Sequence, residues 1–365
     1  MKSVLKAMIA ALVLLAASQS AHALDVPAAV AEAEALLAAG DHDGALRAAN
    51  KLIEAAGADP DAWHCRCRVH MARAQDEDAL ADINRALQLS GRRPKDLTAR
   101  AQLRLVRRAY DAAIEDADAA IAADAAYAPA WQLRAKAKLR QGHARAALKD
   151  AREAVRLAPE DASAYLVRAA VFEAIHDAGK ARADYVKATE LEPNNAAAWY
   201  RLARHDCRNK NDSKRAGPAL DKAIALDPDL AKAYVLRAQV KLATNKAAQR
   251  ASALDDLTAA LRLNPDLAEA YFIRAEVERA AEEYAGAVAD LRRALALAPD
   301  NAAYRALWNE IYRVDAARLI GEAEKLLNDG DYDGAAGRVR KALEIDPHSQ
   351  ALHEALLIIE AQRDK

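Results

Sequence analysis

The sequence predicts an all-α solenoid of antiparallel helix pairs, and three observations predict it. Alanine recurs at Ala79, Ala113, Ala147, Ala181, Ala216, Ala253, Ala287 and Ala335, and again at Ala86, Ala120, Ala154, Ala188, Ala223, Ala260, Ala294 and Ala342. Both series step by 34, 34, 34, 35, 37, 34 and 48 residues, so two independent small-residue positions share one rhythm and its irregularities. A bulky residue opens most units (Trp63, Trp131, Tyr165, Trp199, Tyr234, Tyr271) and a proline closes many (Pro159, Pro193, Pro228, Pro265, Pro299, Pro347). Between them, apolar residues fall at three- and four-residue spacing on either side of a short polar turn such as Gly330-Asp331-Tyr332-Asp333-Gly334. Each unit is therefore two helices, and units of this kind bury their apolar faces by stacking on their neighbours.

Numbered from 1, a unit has an aromatic at position 4, small residues at 8, 20 and 27, and proline at 32. Over residues 26–349 this pattern resembles the tetratricopeptide repeat, whose period is 34. The resemblance implies a right-handed superhelix of about nine units that binds a protein or peptide in its concave groove.

The elements follow in order. Lys2 and Lys6 precede an apolar stretch from Ala7 to Ala17, then Ser18-Gln19-Ser20 and the small-x-small sequence Ala21-His22-Ala23. Residues 1–23 thus read as a signal peptide cut after Ala23, and the mature protein is expected in the periplasm, secretion being the alternative. The apolar core is shorter than the roughly 20 residues a membrane span requires, and no later segment is apolar enough to span. Residues 24–59 form the most degenerate unit and are expected to cap the array. Seven units fill 60–301. The step of 48 leaves extra residues within 302–315, where Tyr304, Leu307, Trp308, Ile311 and Tyr312 predict an added helix continuing through Leu326. The last unit is 316–349, and 350–365, with Leu352, Leu356, Leu357, Ile358 and Ile359, reads as a closing helix.

One departure from the family is systematic. Position 7 carries arginine in Arg66, Arg100, Arg134, Arg168, Arg237 and Arg274, and position 23 carries aspartate in Asp82, Asp116, Asp150, Asp184, Asp256 and Asp290. Where the arginine becomes Leu202 the aspartate becomes Ala219, and the last unit reverses the signs with Glu322 and Arg338. Joint loss and joint inversion predict a semi-buried ion pair across each hairpin.

Composition excludes several classes. A formal charge of −1, falling to −3 without Lys2 and Lys6, argues against nucleic acid as a partner. There is no phosphate loop, nucleophile elbow or HExxH, so no catalytic residue and no cofactor is expected. Cys65 and Cys67 diverge on one helix and Cys207 lies far off in sequence, which disfavours an internal disulfide. His64, Cys67 and His70 share a broad helix face without the convergence zinc demands, so no metal is expected.

Function must then come from a surface. The resemblance implies that positions 2, 5, 9, 12 and 13 line the groove. In units 60–301 these hold Arg68, Lys95, Lys136, Arg140, Arg204, Arg208, Lys232 and Arg279 against Asp61, Glu173, Glu269 and Glu276, a basic excess that favours an acidic partner. Position 5 runs His64, Thr98 and Gln132, then Leu166, Tyr200, Val235, Phe272 and Ile320. The expected partner-binding residues are Tyr200, Arg204, Arg208, Val235 and Phe272. No unit has the lysine at 5 and asparagine at 9 with which family members clamp chaperone tails. The reading is a non-catalytic, monomeric scaffold, with a homo-oligomerising envelope subunit as the alternative. Lengthened turns around 208–213 and 244–250 fall in adjacent units and are expected side by side on one edge, a further candidate contact.

Overall fold

The structure is a computed structural model that describes residues 25–208, 213–244 and 247–363. The expected signal peptide at 1–23 and the centres of the two lengthened turns, 209–212 and 245–246, lie outside the described residues. The described residues are helical hairpins with no strand among them, grouped into two compact units, one ending at Leu191 and the other starting at Glu192.

The first unit holds the pairs α1 (Val26–Ala38) and α2 (His42–Ala56), α3 (Pro60–Ala72) and α4 (Asp76–Ser90), α5 (Pro94–Val106) and α6 (Tyr110–Ala123), α7 (Ala128–Arg140) and α8 (Ala144–Leu157), α9 (Ala162–Ala174) and α10 (Ala178–Leu191). The second holds α11 (Ala196–Arg208) and α12 (Ser213–Leu226), α13 (Ala231–Leu242) and α14 (Ala247–Leu263), α15 (Ala268–Ala280) and α16 (Tyr284–Leu297). There follow α17 (Ala302–Glu310), α18 (Ala316–Asn328), α19 (Tyr332–Ile345) and α20 (Gln350–Arg363).

Helix ends are written in the sequence. Proline occupies the first turn at Pro60, Pro94 and Pro129, where its missing N–H is not needed. Asp25, Asp41, Asp59, Asp161, Asn301 and Asp331 accept from backbone N–H groups of the turn that follows. Within the hairpins, position 15 is left-handed: Gly40, Ala74, Arg108, Gly142, His176, Glu282 and Gly330 all have φ between 56° and 85°. That residue lets the next N–H turn back to the carbonyl at position 11, as in Gln75 to His70 at 2.9 Å and Ala109 to Arg104 at 2.8 Å.

The two alanine series line the seam between paired helices, and all sixteen are at most 1% exposed. Side chains this small let the helices approach closely, and the predicted ion pairs lie across the same seam. Each arginine at position 7 forks onto its aspartate through Nε and Nη2; Arg134 reaches Asp150 at 3.0 and 2.7 Å, and Arg168 reaches Asp184 at 2.7 and 2.8 Å. Several also bond the preceding hairpin, through Asn50, Asn84, Asp118 and Asp221, so one guanidinium fixes both the hairpin and its stacking. Leu202 and Ala219 are buried, and the reversed Glu322 and Arg338 stand 3.0 Å apart.

Two contacts were not anticipated from sequence. The aromatic at position 4 lies under the arginine three residues on, as in Trp131 with Arg134 at 4.6 Å and Tyr234 with Arg237 at 5.5 Å. The indoles of Trp63, Trp131 and Trp199 also donate to the carbonyl six residues back, tying each helix to the loop before it.

In the second unit α17 runs into α18 through one π-helical stretch, Ile311–Asp315, so 302–328 is one continuous helix. Tyr304, Leu307, Ile311 and Leu319 pack with Tyr284, Leu291 and Ile345 in one core. The π turn brings buried Asp315 to Arg279, 2.6 Å away. Glu282, at its left-handed corner, accepts from Arg318, Arg338 and Lys341; these bonds, Lys341 foremost, hold its carboxyl at about 2 and fasten the hairpin of α15 and α16 to the last one. Helix α20 packs Leu352, Leu356 and Ile359 onto Ala335, Ala336 and Val339.

Candidate protein-binding face

The expected partner-binding residues all belong to the second unit and sit on first helices of their pairs. Tyr200, Arg204 and Arg208 stand at i, i+4 and i+8 on α11 and so form one stripe. Tyr200 is half-buried, its ring resting on the core around Ala203 and Leu220. Burial raises its phenol above the ordinary tyrosine range, against the lowering pull of Arg204. Arg204 is half-buried and Arg208 exposed.

The other two anchors are placed differently. Val235 is 6% exposed and packed among Ala238, Leu257 and Leu261, so it builds core and offers no open surface. Phe272 is half-buried and stacks on Tyr304, ring centroids 4.7 Å apart, which closes its outer face with the added helix. Tyr200 and Arg204 with Arg208 are therefore the accessible part of the set.

The charge of this face is mixed. Glu269, on α15, accepts from Gln239 at 2.8 Å and acts electrostatically on both Tyr200 and Tyr304. Arg279 is engaged by Glu310 and Asp315 at 2.8 and 2.6 Å. In the first unit Arg68 pairs with Glu34, and Lys95 lies 2.6 Å from Asp61. Three of the eight basic residues counted from sequence, Arg68, Lys95 and Arg279, are thus paired with carboxylates.

Other candidates resolve as packing. Trp308 is half-buried, stacked on Tyr312 at 4.5 Å and covered by the Arg292 guanidinium at 5.8 Å. Cys67 fills the small position 8, and burial pushes its thiol up to about 12; Cys65 and Cys207 are pushed to about 11. His64 and His70 face different partners, Asp96 at 2.8 Å and Gln75 at 3.1 Å. Among the described residues no group of three or more His, Cys, Asp or Glu is placed to hold a metal ion, and no helix is long and apolar enough to cross a membrane.

Residues 246–302 match the sequence model of the tetratricopeptide repeat family. No curated protein matches the chain. Among solved structures it is similar to a thermophilic tetratricopeptide repeat (TPR) protein of Thermus thermophilus, at 21% identity over 50% of this chain and 99% of that one, with a TM-score of 0.47. It is similar also to a tetratricopeptide repeat protein from Parabacteroides merdae, at 16% identity over 66% and 93% of the two chains, TM-score 0.48. A third similar structure is YrrB, a TPR protein with an unusual peptide-binding site, at 22% identity over 51% and 95%, TM-score 0.35. Residues 246–302 thus carry the sequence signature of the tetratricopeptide repeat, and the helix pairs of both units keep one register of buried alanines.

Proposed function

We propose that the protein is an exported, non-catalytic scaffold that holds a protein or peptide partner on the first-helix face of its second unit. The observation that carries this reading is the stripe of Tyr200, Arg204 and Arg208, an aromatic anchor with two guanidinium groups on one helix face. Tyrosine and arginine are enriched among the few residues that dominate interface energetics. The partner would present an apolar group to Tyr200 and an acidic one to the arginines. Residues 1–23, with their basic start, apolar core and Ala21-His22-Ala23 end, support export to the periplasm.

The test is capture from a periplasmic extract by the mature protein and by a Tyr200→Ala/Arg204→Glu/Arg208→Glu variant of unchanged helical circular dichroism. A partner held by the wild type and lost by the variant supports the reading; equal retention removes the face from it. The intact mass of protein recovered from the periplasm should begin at Leu24. A second reading, self-association, is favoured by Leu357 and Ile358, which are 67% and 60% exposed on α20. It predicts a concentration-dependent mass that Leu357→Asp abolishes.

A further inference from the structure

In the first unit two neighbouring second helices carry opposite charge along their outer sides. On α6 Asp111, Glu115 and Asp118 stand at i, i+4 and i+7, and on α8 Arg145, Lys149 and Arg152 keep the same spacing, each 34 residues after its acidic counterpart. All six are exposed, and the spacing places each set in one row along its helix. The flanking helices do not continue either row. At the corresponding positions α10 has Gly179, Ala183 and Val186, while α4 has Glu77, already forked by Arg107 at 2.8 and 3.1 Å, then Ala81 and Asn84.

Within one chain the two rows do not pair. Helix α7 is tied to both α6 and α8: Arg134 donates to Asp118 on the first at 2.6 Å and to Asp150 on the second at 2.7 Å, and Gln141 donates to Asp111 at 2.6 Å. Among the described residues Glu115, Arg145, Lys149 and Arg152 form no ion pair or hydrogen bond through their side chains. Like charges three and four residues apart on a helix repel, so each row gains from an opposite row laid against it. Both helices run antiparallel to α7 and hence in one direction, and equal repeat positions put acids and bases at equal heights along them. A two-fold axis parallel to these helices and midway between them turns the face onto itself. It sets α6 of one copy over α8 of the other and keeps every height, so Asp111 meets Arg145, Glu115 meets Lys149 and Asp118 meets Arg152, twice over. A two-fold axis across the helices would set like on like.

We propose that two copies of this chain associate through this face, the acidic row of α6 in each lying on the basic row of α8 in the other. Exposed pairs are weak singly, but a set that is in register in one orientation and opposed in the others fixes the geometry and makes the contact sensitive to salt. Gly179 and Ala183 beside α8 raise no long side chain against the approaching copy. A scaffold paired in this way presents its partner-binding face twice, which favours a repeated or multimeric partner. The association uses neither the Tyr200 stripe nor Leu357 of α20, so each assignment can fail alone.

The test is sedimentation equilibrium of the mature protein from about 10 μM to about 1 mM, in about 0.05 and about 0.5 M salt. The mass should rise with concentration to that of a dimer and stop there, and the higher salt should weaken the association by about tenfold or more. Arg145→Glu/Lys149→Glu turns two places of the basic row acidic, and Asp111→Lys/Glu115→Lys turns their two counterparts basic. Each variant, with unchanged helical circular dichroism, should be monomeric alone, and the two mixed in equal amounts should form a dimer at least as tight as that of the wild type. Leu357→Asp should dimerise as wild type does. The proposal is overturned by a wild type that stays monomeric, by a mass that grows past the dimer, or by a dimer that Leu357→Asp abolishes. Either charge variant dimerising alone like wild type, or a mixture that stays monomeric, overturns it too. A monomeric wild type that pellets with phosphatidylglycerol vesicles, where Arg145→Glu/Lys149→Glu does not, would assign α8 to an anionic surface instead.

Discussion

The Arg168–Asp184 pair allows the architecture to be tested on a two-body contact. Asp116, Asp150 and Asp256 each receive a second cation from position 11, where the pair of α9 and α10 has Phe172; among the described residues Arg168 is the forked partner of Asp184. Asp184→Ala removes two charge-assisted hydrogen bonds and strands a guanidinium whose side chain is 22% exposed and stacked against Tyr165 at 5.3 Å. Breaking a buried pair from one side costs about 3–5 kcal/mol, and the partial access of Arg168 to water places this site near 3. The protein itself supplies the control, because the next pair of helices carries Leu202 and Ala219 at these positions and packs them. Arg168→Leu/Asp184→Ala should accordingly lie within about 1 kcal/mol of wild type, a coupling of about 2. Stacked repeats do not unfold as one two-state body, so the readout is hydrogen exchange of the amides in α9 and α10. The single variant should lose about a hundredfold in protection and the double variant less than about tenfold. A single substitution costing under about 1 kcal/mol, or a double as damaging as the single, would refute the argument that the pair is a coupled, replaceable strut.

Three further outcomes follow from particular residues. Arg108 sits at φ 60° in a hairpin corner where Gly142 and Gly330 stand in equivalent positions, so Arg108→Gly should raise local stability by up to about 1 kcal/mol and Gly142→Ala should lower it by about the same, read from hydrogen exchange of the amides in the flanking helices. Gly44 and Gly334 leave room for the capping carboxylates: a Cβ there would lie 2.1 Å and 2.3 Å from Asp41 and Asp331 oxygens, so Gly334→Ala should cost about 1–2 kcal/mol in thermal denaturation. Glu278 stands at position 11, where three other pairs place Arg104, Lys138 and Lys241; burial first, then the Asp290 charge, raises its carboxyl to about 7, and its Oε2 is buried without a hydrogen bond. A raised carboxyl favours the fold while protonated, so stability in the second unit should be highest below about pH 4 from this group and fall as pH rises through 7. Glu278→Gln should flatten that slope between pH 5 and pH 8 and stabilise at pH 8 by about 1–2 kcal/mol.

The hairpins and their close packing were legible because alanine at positions 20 and 27 can be replaced by nothing larger without separating the helices. The Arg–Asp pairs were legible for a second reason: their joint loss at Leu202 and Ala219 and their inversion at Glu322 and Arg338 betray contact. What stayed hidden depends on register between hairpins. Asp96 looks like an ordinary acidic residue in the first turn of α5, and only the stacking of α5 on α3 shows that it is sealed under His64. Val235 and Phe272 share position 5 with Tyr200, yet Val235 is enclosed and Phe272 is covered by Tyr304 of a helix with no counterpart elsewhere in the repeat. Left-handed corners at Ala74, Arg108, His176 and Glu282 escaped notice because only glycine advertises that conformation in sequence.

The scaffold reading is tested most directly by site-specific photo-crosslinking, with a benzophenone amino acid at position 200 and, separately, at the exposed Lys222 on α12. The account predicts a discrete adduct with a partner polypeptide from position 200 and none from position 222, in cells that export the protein. Adducts from position 222 alone, or none from position 200, would contradict it.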